Sequence, residues 1–413
     1  MFMENNIAWL TVIGIGENGV AGLCEQAKSI INSASVVVGG KRHLELLSPF
    51  PRKGEWLTWE NPIENSIKKI LDTHLRGYDN IVVLASGDPF CYGIGVTLSR
   101  YIPISEMLVI PAPSCFSLAA SKLGWALQDT VTIGLNGRAL EKIIPLLQPS
   151  AKIMALSTDE TTPKLLAELL VKKGFGDAKM WVLEHLGGEK ENIIEFLSSN
   201  HLITSSSNFA PLNMIALEIP RTATKNALPI VSGLADSLFA NDGQLTKREI
   251  RAITLSSLAP RRGELLWDIG LGAGSIAIEW LLANSSNRAI GFEKNAKRAE
   301  RAMSNAKNLG VPDLQIIIGN APEILNGVEA PDAIFIGGGA TSKDMIETAF
   351  NALKIGGRLV INSVTLESEI LLIASYKKYG GNIIRIAIER AVEVGVFTGL
   401  KPSMSVLQWS ITK

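Results

Sequence analysis

The chain has few of the residues that usually announce catalytic chemistry. Its 413 residues include four histidines and three cysteines. His43, His74, His185 and His201 show no HxxxH or HExxH spacing, so no protein-held catalytic metal is expected. Cys24, Cys91 and Cys115 form no CxxC pair, and their odd number argues against a disulfide framework. Charge of one sign is also missing. Forty Lys and Arg cancel forty Asp and Glu, which removes the basic bias of a nucleic-acid binder. No apolar run approaches the ~18 residues that would span a membrane. The start, MFMENNIAWL, has neither a basic leader nor a small-residue cleavage site. These absences predict a cytoplasmic protein that acts on small molecules, without nucleic-acid or membrane partners.

What is present is apolar periodicity. With 46% hydrophobic residues the chain is long enough for two cores. Short β-branched runs alternating with helical patterns predict an α/β protein. The first series of strands is expected at 10–16, 35–40, 80–87 and 107–113, then at 131–135, 152–158, 179–187 and 213–220. Several connections in the last four are too short for a crossover helix, which suits an open mixed sheet. A weakly periodic seam at 220–240 precedes strands at 264–270, 288–293, 314–319, 332–339 and 357–364. Two more, at 382–390 and 404–411, complete a doubly wound, seven-stranded sheet of five parallel strands and an antiparallel pair. The series share no detailed repeat. The expected division is therefore a fusion of different folds, 1–220 and 240–413, joined by a linker at 221–239.

In the second half, DIGLGAG (268–274) lies between a strand and a helix. Glycines allow a tight turn and close approach of a ligand to the backbone, and the helix start offers free N–H groups. The spacing GxGxG, with Asp268 ahead of it, departs from the dinucleotide fingerprint GxGxxG and favours S-adenosylmethionine. Glu293 ends the next strand, where an acid can accept ribose hydroxyls. Asn320-Ala321-Pro322 follows the third strand. In the first half, GIGENG (14–19), ASGDPFCYGIG (85–95) and the turn opening PAPSCFSLAASKLGW (111–125) follow strands.

These segments carry a resemblance. GQLTKREIRAITLSSLAP (243–260), WDIGLGAGSIAIEW (267–280), GNAPEIL (319–325) and PDAIFIGGG (331–339) resemble the decarboxylating, C15-methylating enzymes of corrin biosynthesis. SGDP, together with TDETTPKLLAELL (158–170), VLEHLGGEKENI (182–193) and FAPLNMIALEI (209–219), is similar to the two-lobed tetrapyrrole methylases, in their C5-methylating branch. The resemblance implies a tetrapyrrole methylase fold followed by a Rossmann-like class I methyltransferase fold. It implies one S-adenosylmethionine site per half, methylation of a precorrin at C5 and C15, and loss of the C12 acetate carboxyl. It also implies a homo-oligomer. Cofactor contacts carried over are Gly87, Asp88, Pro89, Ser114, Leu156 and Asn213 in the first half. In the second they are Thr246, Gly270, Leu271, Gly272, Ala273, Gly274, Glu293 and Ala321. The chain departs from the pattern at Leu271 and Ala273, where the family more often has Ala and Ser, and at Glu17, where many relatives have Pro.

A sulfonium methyl is already a strong electrophile, so alignment and exclusion of water suffice and no catalytic triad is required. No Ser/His/Asp or Cys/His arrangement is visible, and no catalytic residue is assigned. A macrocycle bearing many carboxylates needs cations and free backbone amides. Lys247, Arg248, Gly338 and Asn362 are the candidate substrate contacts. Asp129, His185 and Trp125 read as a turn acid, a loop histidine and a core indole, and Cys115 as an inert thiol. Two other readings compete: an NAD-dependent oxidoreductase using the 268–274 loop, and a corrinoid-binding protein with a degenerate methylase domain.

Overall fold

Strands inside a parallel sheet bury both faces, which near-continuous Val, Ile and Leu runs satisfy. Each expected run does become a strand in the computed structural model, which describes residues 8–77, 80–200 and 208–413. His201 lies outside the described residues. The first unit takes in the chain up to Arg138 and Pro149–Asn226. It holds β1 (Leu10–Ile15), β2 (Val36–Gly39), β3 (Glu55–Thr58), β4 (Ile81–Ser86) and β5 (Met107–Ile110). These form an all-parallel sheet in the order β3-β2-β4-β1-β5.

A second sheet of the same unit contains β6 (Thr130–Gly134), β7 (Lys152–Leu156), β8 (Lys179–Glu184), β9 (Asn192–Leu197) and β10 (Asn213–Glu218). Its order is β6-β7-β10-β8-β9, with β6 and β7 parallel and the other pairings antiparallel. The open mixed sheet expected from the short connections is present. β3 and β9 were not anticipated. Both are edge strands with mostly exposed or half-buried residues, so their sequences lack the apolar run that marks an interior strand.

The second unit joins Ala139–Gln148 to Ala227–Lys413. Its strands are β11 (Leu265–Ile269), β12 (Arg288–Glu293), β13 (Gln315–Ile318), β14 (Ala333–Ile336), β15 (Arg358–Ser363), β16 (Asn382–Ile386), β17 (Glu389–Val394), β18 (Phe397–Pro402) and β19 (Val406–Thr412). Seven of them make the sheet β13-β12-β11-β14-β15-β19-β16, in which β19 runs antiparallel to both neighbours. The run expected as one strand at 382–390 is divided. β16 stays in the sheet, whereas β17 leaves it to pair with β18 in a separate hairpin. Leu234 and Phe239, within the segment expected as linker, are buried in this unit's core.

Glycine decides where loops of the first unit can meet. A Cβ on Gly14, in β1, would lie 1.9 Å from the Gly87 oxygen and 2.5 Å from the Ala112 nitrogen. Backbone therefore packs on backbone, drawing the turns after β1, β4 and β5 together. Gly14→Ala is expected to destabilise this unit by about 3 kcal/mol or more. Loss of hydrogen-exchange protection in β1 and β4, with β11 and β14 still protected, is the measurement that checks it.

Candidate functional site

Each unit carries a cavity at the C-terminal ends of its strands. In the second unit the loop after β11 turns through Gly270, Gly272 and Gly274, whose φ angles of 75°, 58° and 78° lie where a Cβ is penalised. The Gly272 N–H donates to Glu293 Oε2 at 2.9 Å, and the Asn295 N–H to Glu293 Oε1 at 3.0 Å. Glu293 thus ties the loop to the end of β12, and each oxygen keeps acceptor capacity for a ligand. Asp268 is buried and accepts from the Ala277 N–H at 3.0 Å. Desolvation, helped by the nearby Glu293 charge, pushes its carboxyl up to about 7.

Leu271 fits the loop because its side chain turns into the core and packs over β12. A Cβ on Gly291 would come within 2.6 Å of Leu271 Cδ2. Gly291 has no left-handed φ, so the glycine is needed here for space alone.

The GQLTK segment crosses above this loop. Its anchor is Arg251, whose side chain has no solvent exposure. Arg251 Nη1 donates to the Thr246 oxygen at 2.6 Å and to Asp236 Oδ1 at 3.2 Å. Its Nε donates to Glu279 Oε1 at 2.5 Å and Nη2 to the Leu234 oxygen. Glu279 also accepts from the N–H groups of Gly233 (2.6 Å) and Leu234 (2.9 Å). A buried ion pair is tolerable only when its remaining hydrogen-bonding groups are satisfied, and here they are. Sequence reasoning selected the adjacent Lys247 and Arg248 and missed Arg251. The available signal was its place among Ile250, Thr254, Leu255 and Leu258 on the buried helix face.

The resulting cavity has a volume of about 710 Å³. Thr246, Lys247, Gly270, Leu271, Gly272, Ala273, Glu293, Ala321, Gly338 and Asn362 all line it. Two candidates lie outside the wall. Arg248 is exposed on its helix, and Gly274 is buried against the helix Ala296–Asn308, with a virtual Cβ 3.1 Å from Ala302 Cβ. Arg298 and Arg390, unnoticed in the sequence, join Lys247 as lining cations. Arg298 bonds Asp242 at 2.9 Å, and together with Arg301 it holds that carboxyl far below its usual range. Asn362 donates to Thr254 Oγ1 at 2.8 Å and accepts from Gln408 Nε2 at 2.9 Å.

The first unit's cavity, about 410 Å³, is lined by Gly87, Ser114, Leu156 and Asn213. Asp88 and Pro89 lie outside its wall: the Asp88 carboxylate accepts from the Phe90 N–H at 2.8 Å, closing the turn. Ser114 caps the helix Cys115–Leu123 by accepting from the Ser117 N–H. The Asn213 amide accepts from Ser157 Oγ and donates to the Ala210 and Asp159 oxygens, so it holds the wall together. His185, read from sequence as an ordinary loop residue, also lines the cavity, as do Glu17, Arg42 and His43. Burial raises the Cys91 thiol, and raises Cys115 to about 11, leaving both protonated near neutrality. Among the described residues no cluster of His, Cys, Asp or Glu is placed to hold a metal.

Residues 237–413 match the family model for the precorrin methyltransferase domain, and residues 10–199 match that for tetrapyrrole (corrin/porphyrin) methylases. A Sinorhizobium protein named precorrin-6Y C(5,15)-methyltransferase [decarboxylating] is 49% identical over 98% of this chain and 96% of its own. The chain belongs to the precorrin-6Y C(5,15)-methyltransferase (decarboxylating) family. A Mycobacterium tuberculosis (strain CDC 1551 / Oshkosh) member is 36% identical over 98% of this chain and 100% of its own. The crystal structure of the C-terminal domain of precorrin-6Y C5,15-methyltransferase from Rhodobacter capsulatus is 44% identical, with a TM-score of 0.43. It covers 45% of this chain and 100% of that one. Precorrin-6Y C(5,15)-methyltransferases are S-adenosylmethionine-dependent enzymes, and the fold expected for each half of the chain is present.

The Leu271–Gly291 fit gives a direct test. Gly291→Ala is expected to cost the second unit about 1–3 kcal/mol through overpacking. Adding Leu271→Ala should recover most of that loss, and denaturant melts of the single and double variants measure it.

Proposed function

We propose that the chain is a bifunctional methyltransferase of cobalamin biosynthesis with two S-adenosylmethionine sites. Residues 1–220 methylate C5 of a precorrin-6Y-type macrocycle, and residues 240–413 methylate C15 and remove the carboxyl of the C12 acetate, giving precorrin-8X. The observation that carries this reading is the presence of two separate cavities, each built on glycine-ended strands, in one chain whose family name describes two methylations.

S-adenosylmethionine supplies the electrophilic methyl group. The protein's part is to bind, align and exclude water. Glu293 is placed to accept ribose hydroxyls while it fixes the Gly272 amide, and Ala321 borders the neighbouring wall. Leu271 and Ala273 supply backbone to the cofactor, and Gly274 supports them from behind. Gly87, Ser114, Leu156 and Asn213 form the corresponding wall in the first unit, with Asp88 and Pro89 shaping its turn. Lys247, Arg298 and Arg390 offer charge to substrate carboxylates, Arg248 lies one residue further along the same helix start, and Gly338 and Asn362 give a flat ring a surface beside them. In the decarboxylation, the electron pair of the breaking C–C bond enters the conjugated macrocycle as carbon dioxide leaves and then returns to the exocyclic carbon to bond a proton from solvent, so no additional electron sink is needed. The GxGxG spacing favours this reading over a dinucleotide oxidoreductase.

Calorimetric titration with S-adenosylhomocysteine should saturate near two equivalents, and Glu293→Ala should remove one. Mass spectrometry of precorrin-6Y turnover should show two added methyls and one lost carbon dioxide. Saturation at a single equivalent in the wild type would sink the two-site reading.

The balanced charge supports an enzyme without nucleic-acid partners, and we infer a cytoplasmic location. The β17–β18 hairpin supports a homo-oligomer, because it exposes Val396 (92%), Phe397 (77%) and Leu400 (67%) and, among the described residues, pairs with no other strand. Light scattering should give a multiple of the chain mass, reduced in a V396D/F397D variant. A monomeric wild type would rule the oligomer out.

A further inference from the structure

The first unit's cavity holds a polar cluster that the binding of cofactor and macrocycle does not explain. His185 Nδ1 lies 2.9 Å from Glu17 Oε2, and the other Glu17 oxygen is paired with Arg42. Arg42 Nη2 donates to Ser86 Oγ at 2.9 Å, and His43 Nε2 lies 2.8 Å from the same hydroxyl. All five residues line the cavity. A carboxylate can only accept, so the His185 hydrogen sits on Nδ1 and the lone pair on Nε2. The side chains of His185 and Glu17 keep 25% and 15% of their exposure, enough to be reached from the cavity.

The backbone at His185 points the same way. Its φ is +48°, a region that costs any residue with a Cβ, and such strain is retained where surrounding structure imposes it. Here the His185 N–H donates to the Leu212 oxygen at 3.2 Å, and the following turn closes through Gly188, whose virtual Cβ would meet Glu17 Cβ at 2.7 Å. The loop is thus pressed onto Glu17 with its imidazole against that carboxylate. The second cavity histidine is less suited to receive a proton. Burial and the adjacent Arg42 charge push His43 down to about 4, whereas His185 bonds the Glu17 carboxylate through Nδ1 and leaves Nε2 to the cavity.

We infer that His185 is the proton acceptor of the first unit's methyl transfer and that Glu17 is its positioning residue. This rests on the function proposed above. The macrocycle carbon forms a bond to the methyl carbon as the methyl–sulfur bond breaks, and that electron pair returns to sulfur. The pair used by the ring carbon is replaced from an adjacent ring nitrogen. The N–H proton of that nitrogen passes to His185 Nε2, which restores a neutral macrocycle and places the positive charge beside Glu17. A positioned base of this kind contributes roughly 10²–10⁴-fold to the rate.

The test uses the full chain with precorrin-6Y and follows the C5 and C15 methyl groups separately by mass spectrometry. Glycine suits the left-handed backbone, so H185G is expected to fold, and H185N, whose side chain also tolerates that region, provides a second variant. Both should slow C5 methylation about a hundredfold or more, bind S-adenosylhomocysteine as wild type does, and leave C15 methylation unchanged. Added imidazole should restore C5 methylation in H185G. With four histidines in the chain, 15N spectra can assign the ring directly: the Nδ1–H tautomer is expected at His185 and should be lost in E17Q. C5 methylation at the wild-type rate in both variants, or an Nε2–H tautomer in the wild type, would overturn the inference. A wild-type chain that methylates only C15 would overturn the functional reading of the first unit, and the inference with it.

Discussion

Both cavities depend on backbone meeting backbone where strands end. In the first unit the Gly14 Cα faces the Gly87 carbonyl so closely that no side-chain carbon fits between them. In the second, a Cβ on Gly270 would lie 2.9 Å from the Gly338 nitrogen. Strand ends in an open parallel sheet diverge at the point where chain order reverses, and that crevice is where ligands bind. Glycine lets the loops on either side close in far enough to present N–H groups while leaving the crevice open. A side chain at Gly14 or Gly270 would push apart the loops that form each cavity.

The two units then stabilise their loops by different physics. The second unit uses charge removed from solvent. Arg251 and Glu279 satisfy one another and five backbone or side-chain groups around them. The Thr246 carbonyl is thereby fixed relative to the helix that begins after the glycine loop. Loss of either partner would strand a charge in an apolar interior, so the arrangement is stiff. The first unit uses a partly exposed chain of Arg42, Glu17 and His185 that borders its cavity directly. Water and ligand can reach that chain, which makes it suited to proton movement where the Arg251 network is suited to holding shape.

The fold was legible because interior strands must be apolar on both faces, and β1, β4, β11 and β14 are. Edge strands carry no such requirement, which is why β3 and β9 escaped notice. The division of 382–390 escaped for a related reason: local alternation continues through Ile388, and only tertiary pairing takes β17 out of the sheet. At the sites, glycine spacing and the acids beside it placed Gly270, Gly272 and Glu293 in one cavity wall. Adjacency in sequence was a poorer guide to cations. Lys247 faces the cavity and Arg248 does not, because Lys247 is the extended N-cap and the chain turns into the helix at Arg248.

Leu271 shows why a departure from a family pattern has to be judged with its spatial partner. Read along the chain, a leucine in a small-residue loop suggests crowding of the ligand. Read across the sheet, it sits over Gly291, which stands opposite Asp268 in the β11–β12 register. The volume added at one position is absent at the other, and the loop backbone keeps its path. Glu17 follows the same logic in the first unit. A charged residue where many relatives carry proline would be a cost in isolation, but Arg42 and His185 both converge on it. Glu17 is held by two partners at the cavity wall, so its carboxylate has a fixed position there. From the GIGENG turn it orients the imidazole of His185.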